Sequence, residues 1–379
     1  MRVLVSGGGT AGHIYPALSV ARVLAGDEHE DVVFVGAPHS LEERLATEAG
    51  FEFIPVRVSG WDRARPVSLL TGGFTTLASV SRCVRLLRRE RADVVIGFGG
   101  YVSLPLGLAA ALTRIPLVLH EQNAVPGVAN RMLARWARSV CLTYDSSAAT
   151  LRTSGSTIVT GNPVREAVLE ADGARGRDAF GIAPGDLVLL VFGGSRGARH
   201  LNEALVNLYP RLRELGHLQV VQIAGPKEAA TVRAGLARIS GDAPVWWKIE
   251  EYVDGMGDLL AAADLVVCRS GATTLAELSA IGRASVLVPY PYATDDHQTR
   301  NAEPFIEVDA AEVVADSGLD GSEFGRIVIS LLEDPQRRAI MAAVARTLGR
   351  RDAARAVAEV ALAAVGGALA SHDDKRGGQ

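Results

Sequence analysis

His13 stands directly behind a glycine turn, in the stretch VSGGGTAGHIYP, where Gly7-x-Gly9-x-x-Gly12 has the spacing of a dinucleotide-binding loop. An ordinary imidazole, with a pKa near ~6.5, can take a proton from a hydroxyl at neutral pH. The residue therefore reads either as a helix-start histidine bonded to a neighbouring carbonyl or as a general base. The positive end of the following helix would help to keep the ring neutral. A nicotinamide cofactor would require an acid at the carboxyl end of the second strand, beside its ribose. That strand, VVFVG, ends at Gly36-Ala37-Pro38, and Asp31 precedes it, at the wrong end. The glycine loop is thus expected to bring backbone close to an anion rather than to hold NAD.

Further polar clusters follow other apolar runs. GFGGY (Gly97 to Tyr101) is either a tight strand-to-helix turn or a second wall of the same site. HEQN places His120, Glu121, Gln122 and Asn123 in a row, more polar groups than capping needs. Asn123 carries both a donor and an acceptor and suits a sugar hydroxyl or an acetamido group. Glu121 is the alternative base to His13. GNPVR supplies Arg165, in isolation a surface charge, and GGSRGA supplies Ser195 at a second glycine loop. Arginine, hydroxyl and backbone amides together form a phosphate-binding set.

In CRSGATTLAE a buried strand runs into Ser270-Gly271-Ala272-Thr273-Thr274 and then a helix bearing Glu277. The turn can present amides and hydroxyls to phosphate. Glu277 can accept from two vicinal ribose hydroxyls, or it is simply an acid favoured by the helix dipole. YPYATDDHQTRN adds Asp295, Asp296, His297 and Gln298. Adjacent aspartates point apart, so hydrogen bonding to sugar hydroxyls is expected there in preference to a metal pair.

These groups need a scaffold. Short apolar runs (RVLVSG, DVVFVG, FIPVRV, DVVIGFG, PLVLHEQ, SVCLTY) alternate with helical patterns, as in a parallel sheet covered on both faces. The plan restarts about 185 residues later with DLVLLVFGGSRGARHLNEAL, then QVVQIAG, VWWKIEEYV, LVVCRSGATTLAEL and ASVLVPYP. An α/β chain with two Rossmann-like, doubly wound domains is predicted. The first spans 1–162, with a C-terminal helix at about 347–365 crossing back to it. The second spans 163–346, and 366–379 reads as a disordered tail. The 379 residues carry 39 Lys and Arg against 43 Asp and Glu, a net charge of −4, which argues against non-specific nucleic-acid binding. The three cysteines are scattered, and the first strand leaves no room for a cleaved leader, so a reducing cytoplasm is expected. No apolar run reaches the ~18 residues of a spanning helix.

The ordered series GGTAGH, GGYVS, HEQN, GNPVR, GGSRGA, CRSGATTLAE and DHQ…NA, from about Arg2 to Val365, resembles the MurG family of peptidoglycan-precursor N-acetylglucosaminyltransferases. The resemblance implies a GT-B fold, two Rossmann-like domains facing a central cleft. It implies UDP-N-acetylglucosamine as donor, lipid I as acceptor, and lipid II as the product of an inverting transfer. By matching position, His13 is the catalytic candidate. Thr10, Ala11, Gly12, Asn123, Arg165, Ser195, Val253, Ala272, Thr273, Thr274, Leu275, Ala276, Glu277 and Gln298 fall on the donor side. Gly99, Gly100, Tyr101 and Glu121 fall on the acceptor side. No cofactor or metal ligand is implied, and stimulation by a divalent metal is the one metal role left open.

The chain departs from the family pattern at Ala11, where glycine is common, at Arg196, where glutamine is common, and at Leu104 and Leu106, where small residues often sit. A lipid acceptor implies a peripheral protein on the cytoplasmic face of a bacterial membrane, with other cell-wall synthesis proteins as partners. The segment with Arg63, Arg65, Arg82, Arg85, Arg88, Arg89 and Arg91 reads as either an ordinary basic helix face or a patch for an anionic leaflet. Two other readings are a different GT-B enzyme, such as a glycolipid synthase or a UDP-N-acetylglucosamine epimerase, and a non-catalytic nucleotide-sugar binder.

Overall fold

The structure, a computed structural model, describes residues 1–57, 68–194, 198–241 and 244–373, with side chains outside 68–77 and 367–373. In chain order the first elements are β1 (Arg2–Ser6), α1 (Ala11–Gly26), β2 (Asp31–Gly36), α2 (Leu41–Glu48), β3 (Glu52–Pro55), α3 (Ser68–Arg89), β4 (Val94–Gly97), α4 (Ser103–Thr113), β5 (Leu117–Glu121), α5 (Val128–Leu133), β6 (Ser139–Leu142) and β7 (Ser156–Val159). There follow α6 (Glu166–Leu169), α7 (Gly173–Ala179), β8 (Leu187–Phe192), α8 (Arg199–Asn207), α9 (Tyr209–Leu212), β9 (Leu218–Ile223), α10 (Ala229–Ser240), β10 (Trp247–Glu250), α11 (Met256–Ala262) and β11 (Leu265–Cys268). The last are α12 (Ala272–Ile281), β12 (Ser285–Leu287), α13 (His297–Glu307), β13 (Ala311–Val313), α14 (Ser322–Glu333), α15 (Pro335–Leu348) and α16 (Ala353–Asp373).

The chain divides into two compact units, Met1–Arg165 with Arg351–Gln379, and Glu166–Arg350. In unit 1 seven parallel strands run in the order β3-β2-β1-β4-β5-β6-β7. Their continuous apolar sequences are buried on both faces. Val3, Val5, Ile96 and Phe98 pack under α1 and α16, while Leu4, Val95 and Leu119 pack toward α3 and α4. The amphipathic end of α3 sorts by period. Cys83, Leu86 and Leu87 are buried, while Arg82, Arg85, Arg88 and Arg89 are exposed. Arg91, just past the helix, is exposed as well, and Arg63 and Arg65 lie outside the described residues.

Strand β7, STIV, was not among the expected strands. It is a polar edge strand whose first three residues are exposed, so it has no apolar run to betray it.

The returning helix differs in register from the sequence expectation. Thr347 and Leu348 complete α15, and α16 starts at Ala353. Its Val357, Ala358, Ala361 and Ala364 enter the core of unit 1. The helix continues to Asp373, so 366–373, expected as tail, is helical because its alanine-rich sequence propagates the turn already docked. Residues 374–379 lie outside the described residues.

Unit 2 has six parallel strands in the order β10-β9-β8-β11-β12-β13. A buried polar chain braces α8 against the sheet. Trp247 Nε1 donates to Gln222 Oε1 at 3.0 Å, Gln222 Nε2 to Asn202 Oδ1 at 3.1 Å, and Asn202 Nδ2 to the Ala224 carbonyl at 3.2 Å. Among the described residues no helix is long and apolar enough to cross a membrane.

Candidate active site

In each sheet the strand order reverses direction once, between β1 and β4 in unit 1 and between β8 and β11 in unit 2. Ligands of open α/β sheets bind outside the carboxyl ends of the strands at such a point. Register makes the two loops at each point neighbours: Ser6 pairs with Gly97, and Phe192 pairs with Cys268.

At the unit 1 point the loop Gly7–Thr10 lies against Gly99–Tyr101. Gly100 has φ +80°, and a Cβ there would stand 2.1 Å from the Gly8 carbonyl oxygen. Thr10, Ala11 and Gly12 begin the helix, with Thr10 as its N-cap residue in extended conformation. The Thr10 hydroxyl makes no capping bond. It lies 3.0 Å from Nδ1 of His13. The other edge of the imidazole lies along the second loop, with Nε2 at 3.4 Å from where a Gly99 Cβ would be. When Nδ1–H donates to Thr10, Nε2 carries the lone pair, the arrangement a general base needs. Tyr101 is 45% exposed, at the mouth of this loop pair.

The HEQN stretch behaves as scaffold. Glu121 is buried, and both carboxylate oxygens are engaged. Oε1 accepts from the Asn123 N–H at 3.0 Å and from Asn123 Nδ2 at 3.3 Å. Oε2 accepts from the Gly127 N–H at 3.0 Å and from Asn130 Nδ2 at 2.8 Å. Burial raises the Glu121 carboxyl, and these donors pull it back. Its alternating direction along β5 explains the placement: His120 faces the α1 side and Glu121 the other. The carboxylate thus holds the Asn123–Asn130 segment through both of its oxygens.

His120 is fully buried. Nε2–H donates to the Gly161 carbonyl at 2.9 Å, and Nδ1 has no partner within the protein. Burial pushes this imidazole down to about 4, with the nearby His13 adding in the same direction. Gln122 donates to the Phe98 carbonyl at 2.9 Å. Asn123 is half-buried and tied to Glu121. Arg165 ends unit 1 with its guanidinium 4.6 Å from the Tyr15 ring centroid, two residues from His13.

In unit 2, Ser195 and Arg196 lie outside the described residues. The second turn is described in full. Gly271 is the N-cap of α12, followed by half-buried Thr273, Thr274 and Ala276. Ala272 and Leu275 are core residues, so only their backbone can meet a ligand. Glu277 is 5% exposed. The Gln298 carbonyl accepts from Ser270 Oγ at 2.8 Å, and its Oε1 accepts from the Tyr290 N–H at 2.9 Å. Gln298 therefore clamps the turn from the next segment. Val253 is half-buried in the bend before α11.

Asp295 and Asp296 both take left-handed backbone, and the Asp296 carboxylate accepts from Thr299 Oγ1 at 2.7 Å. Among the described residues no three His, Cys, Asp or Glu side chains gather as a metal site.

One network had no reading in the sequence. Arg269 Nη2 stands 2.6 Å from Asp316 Oδ1, and Asp316 Oδ2 is 2.8 Å from Nδ1 of His200. The carboxylate raises the His200 ring, and the two cations lower Asp316 against its burial. This links the start of α8 to the CRSG turn. His200 and Asp316 are 116 positions apart, and only the arginine carried a local cue, standing directly before the phosphate turn.

Two parallel-sheet units with glycine turns at both reversal points have the architecture of GT-B glycosyltransferases. The chain belongs to glycosyltransferase family 28: residues 3–142 match its N-terminal domain and residues 188–357 its C-terminal domain. A UDP-N-acetylglucosamine--N-acetylmuramyl-(pentapeptide) pyrophosphoryl-undecaprenol N-acetylglucosamine transferase of Desulfitobacterium hafniense (strain Y51) is 38% identical over 96% of this chain and 99% of the relative. The like-named protein of Syntrophotalea carbinolica is 40% identical over 95% of this chain and 98% of its own length. The crystal structure of Acinetobacter baumannii MurG superposes with a TM-score of 0.75 at 31% identity, covering 95% of this chain and 99% of that one. A UDP-GlcNAc 2-epimerase from Neisseria meningitidis, at 15% identity and a TM-score of 0.68, shares the fold, with 96% of this chain and 100% of that one covered.

Proposed function

We propose that this protein transfers N-acetylglucosamine from UDP-N-acetylglucosamine to the 4-hydroxyl of the muramoyl sugar of lipid I, giving lipid II for peptidoglycan synthesis. The observation that carries the reading is the pairing of His13 with Thr10 at the unit 1 reversal point, in a chain alignable end to end with relatives named for that transfer. Unit 1 presents the base. Nε2 of His13 takes the proton from the attacking hydroxyl as the anomeric carbon inverts in one displacement. Glu121 holds the neighbouring loop through its four donors.

Unit 2 carries the donor. Glu277 receives the ribose hydroxyls, the Val253 backbone meets uracil, and the Ala272–Thr274 turn with Ser195 meets the diphosphate, to which Arg165, a residue of unit 1, contributes its guanidinium. Fixed amides and a guanidinium there stabilise the charge growing on the leaving group, so the route requires no metal ion.

Lipid I confines the chemistry to a membrane surface, and the protein acts as a peripheral enzyme on its cytoplasmic face. The exposed arginines of α3 support this reading, as do the exposed Leu112 and Arg114 closing the adjoining α4. A basic face carrying apolar side chains suits an anionic leaflet.

The test is turnover with labelled UDP-N-acetylglucosamine and a lipid I analogue. His13→Ala should keep UDP affinity and lose roughly 10²–10⁴ in rate. Binding without transfer by the parent protein, or transfer to diacylglycerol alone, would overturn the assignment.

A further inference from the structure

The acid expected after β2 in a dinucleotide-binding fold is missing from the strand end, yet the structure places a carboxyl there from α2, and it faces inward. Glu42 is 1% exposed. Its Oε1 accepts from the Gly7 N–H at 2.8 Å. Its Oε2 has no partner within the protein and is pressed between two other glycines. A Cβ on Gly8 would come within 2.5 Å of that oxygen, and one on Gly36 within 2.2 Å. Three glycines on two strand ends thus close around one carboxyl group.

The consequence runs along the chain. Gly7 and Gly8 lead directly into Gly9 and Thr10, and Thr10 holds the ring of His13. Gly8 is also the residue whose carbonyl meets Gly100. A buried N–H left without an acceptor is costly and is relieved by backbone movement. Here that movement would pass into the base. Ser40 caps α2 by accepting from the Glu43 N–H at 3.1 Å, which fixes the first turn from which Glu42 projects. Burial lifts the carboxyl to about 7, so near neutrality much of it is the uncharged acid, the form in which an unpaired Oε2 is tolerable.

We propose that Glu42 is a positioning residue for the transfer reaction, holding the Gly7–Gly8 turn from beneath so that Thr10 and His13 stand in register with the acceptor hydroxyl. The inference rests on His13 as the base. It predicts that an acceptor atom, not charge, is what position 42 must supply.

The test uses the full chain with three replacements. Glu42→Gln keeps an acceptor for the Gly7 N–H. Glu42→Met fills the same space without one, and Glu42→Ala leaves the space empty. Each is compared with the parent for kcat with UDP-N-acetylglucosamine and a lipid I analogue, for UDP affinity by calorimetry, and for melting temperature. Glu42→Met should lose at least tenfold in kcat with UDP affinity within twofold of the parent. Glu42→Gln should recover most of that rate, and Glu42→Ala should be at least as slow as Glu42→Met.

A purely structural role would move melting temperature and UDP affinity together and would not separate Gln from Met. Equal kcat for Gln and Met overturns the proposal, as does a Met variant at the parent rate. His13→Ala in the same assay keeps the two ideas apart. If it is slow while Glu42→Met is at the parent rate, only the positioning role fails. If it turns over at the parent rate, the base reading fails and takes the positioning role with it.

Discussion

The hydroxyl of Thr10 and Nδ1 of His13 are 3.0 Å apart across the first turn of α1. Threonine in the residue before a helix ordinarily accepts from an N–H two or three residues on. Here the hydroxyl makes no such bond. It engages the ring instead, so the helix start forgoes a cap in order to orient an imidazole. Only the tautomer donating from Nδ1 leaves Nε2 able to accept a proton.

Removing that partner should therefore cost rate more than stability. Thr10→Val keeps the branched shape and deletes the acceptor. Loss of one such hydrogen bond, about 1 kcal/mol, corresponds to roughly five- to tenfold in kcat. Thr10→Ser should stay within about threefold of the parent on the same grounds. Steady-state turnover with UDP-N-acetylglucosamine and a lipid I analogue measures both, and a Val variant as fast as the parent would show that the ring is oriented by other contacts.

Two buried groups of unit 1 titrate in opposite senses, and the protein's pH stability should show their cancellation. Burial raises Glu42 from 4.5 to about 7. The folded state then holds a proton that the unfolded chain has released, so stability falls as pH rises from about 4.5 to 7 and levels off above. Burial lowers His120 from 6.5 to about 4. Its contribution is complete above 6.5 and is lost as pH falls toward 4, because the unfolded chain binds the extra proton. Each shift amounts to about 3 kcal/mol.

Between pH 5 and 6 the two slopes nearly offset. Glu42→Gln should expose the histidine slope, with stability climbing through that window. His120→Gln, which can still donate to Gly161, should expose the opposite slope. Urea unfolding of the full chain across pH 4.5–7.5 reads the differences between variant and parent. Variants parallel to the parent at every pH would rule out both titrations.

The contrast between His13 and Glu42 shows what sequence carried and what it could not. The sheets were legible because parallel strands buried on both faces are written as unbroken apolar runs, and each glycine turn follows such a run. The glycine turns, HEQN and CRSGATTLAE are local strings, so their positions at strand ends could be read from the strand pattern alone. Glu42 sits in an ordinary amphipathic stretch, LEERLATE, with nothing local to separate it from Glu43. Its role exists only because α2 turns it under a loop 35 residues earlier. The Arg269–Asp316–His200 network failed to show for the same reason. Glu121 shows what a run of four polar residues leaves unsaid: the two-residue period of β5 turns this one toward the loop's own donors. The departures at Leu104 and Leu106 are packing, since both side chains lie in or against the α3–α4 core.

The interlocking of the two unit 1 loops gives the last expectation. Gly100 combines φ +80° with a Cβ position 2.1 Å from the Gly8 carbonyl oxygen, so alanine there meets backbone, which cannot rotate away. The loops must part by about 1 Å, and a displacement of that size at a reacting centre costs on the order of 10² in rate. Gly100→Ala should therefore lose about a hundredfold in kcat, together with about 1–2 kcal/mol of stability from the left-handed backbone. Gly26, the last residue of α1, has nothing within 4 Å of its Cβ position. Gly26→Ala should leave the rate unchanged and add about 0.5–1 kcal/mol by restricting the unfolded chain. Parallel kcat and thermal-melting measurements on the two variants separate a general intolerance of glycine replacement from the specific contact of Gly8 with Gly100. A Gly100→Ala protein that melts lower yet turns over at the parent rate would place the contact in folding and remove it from catalysis.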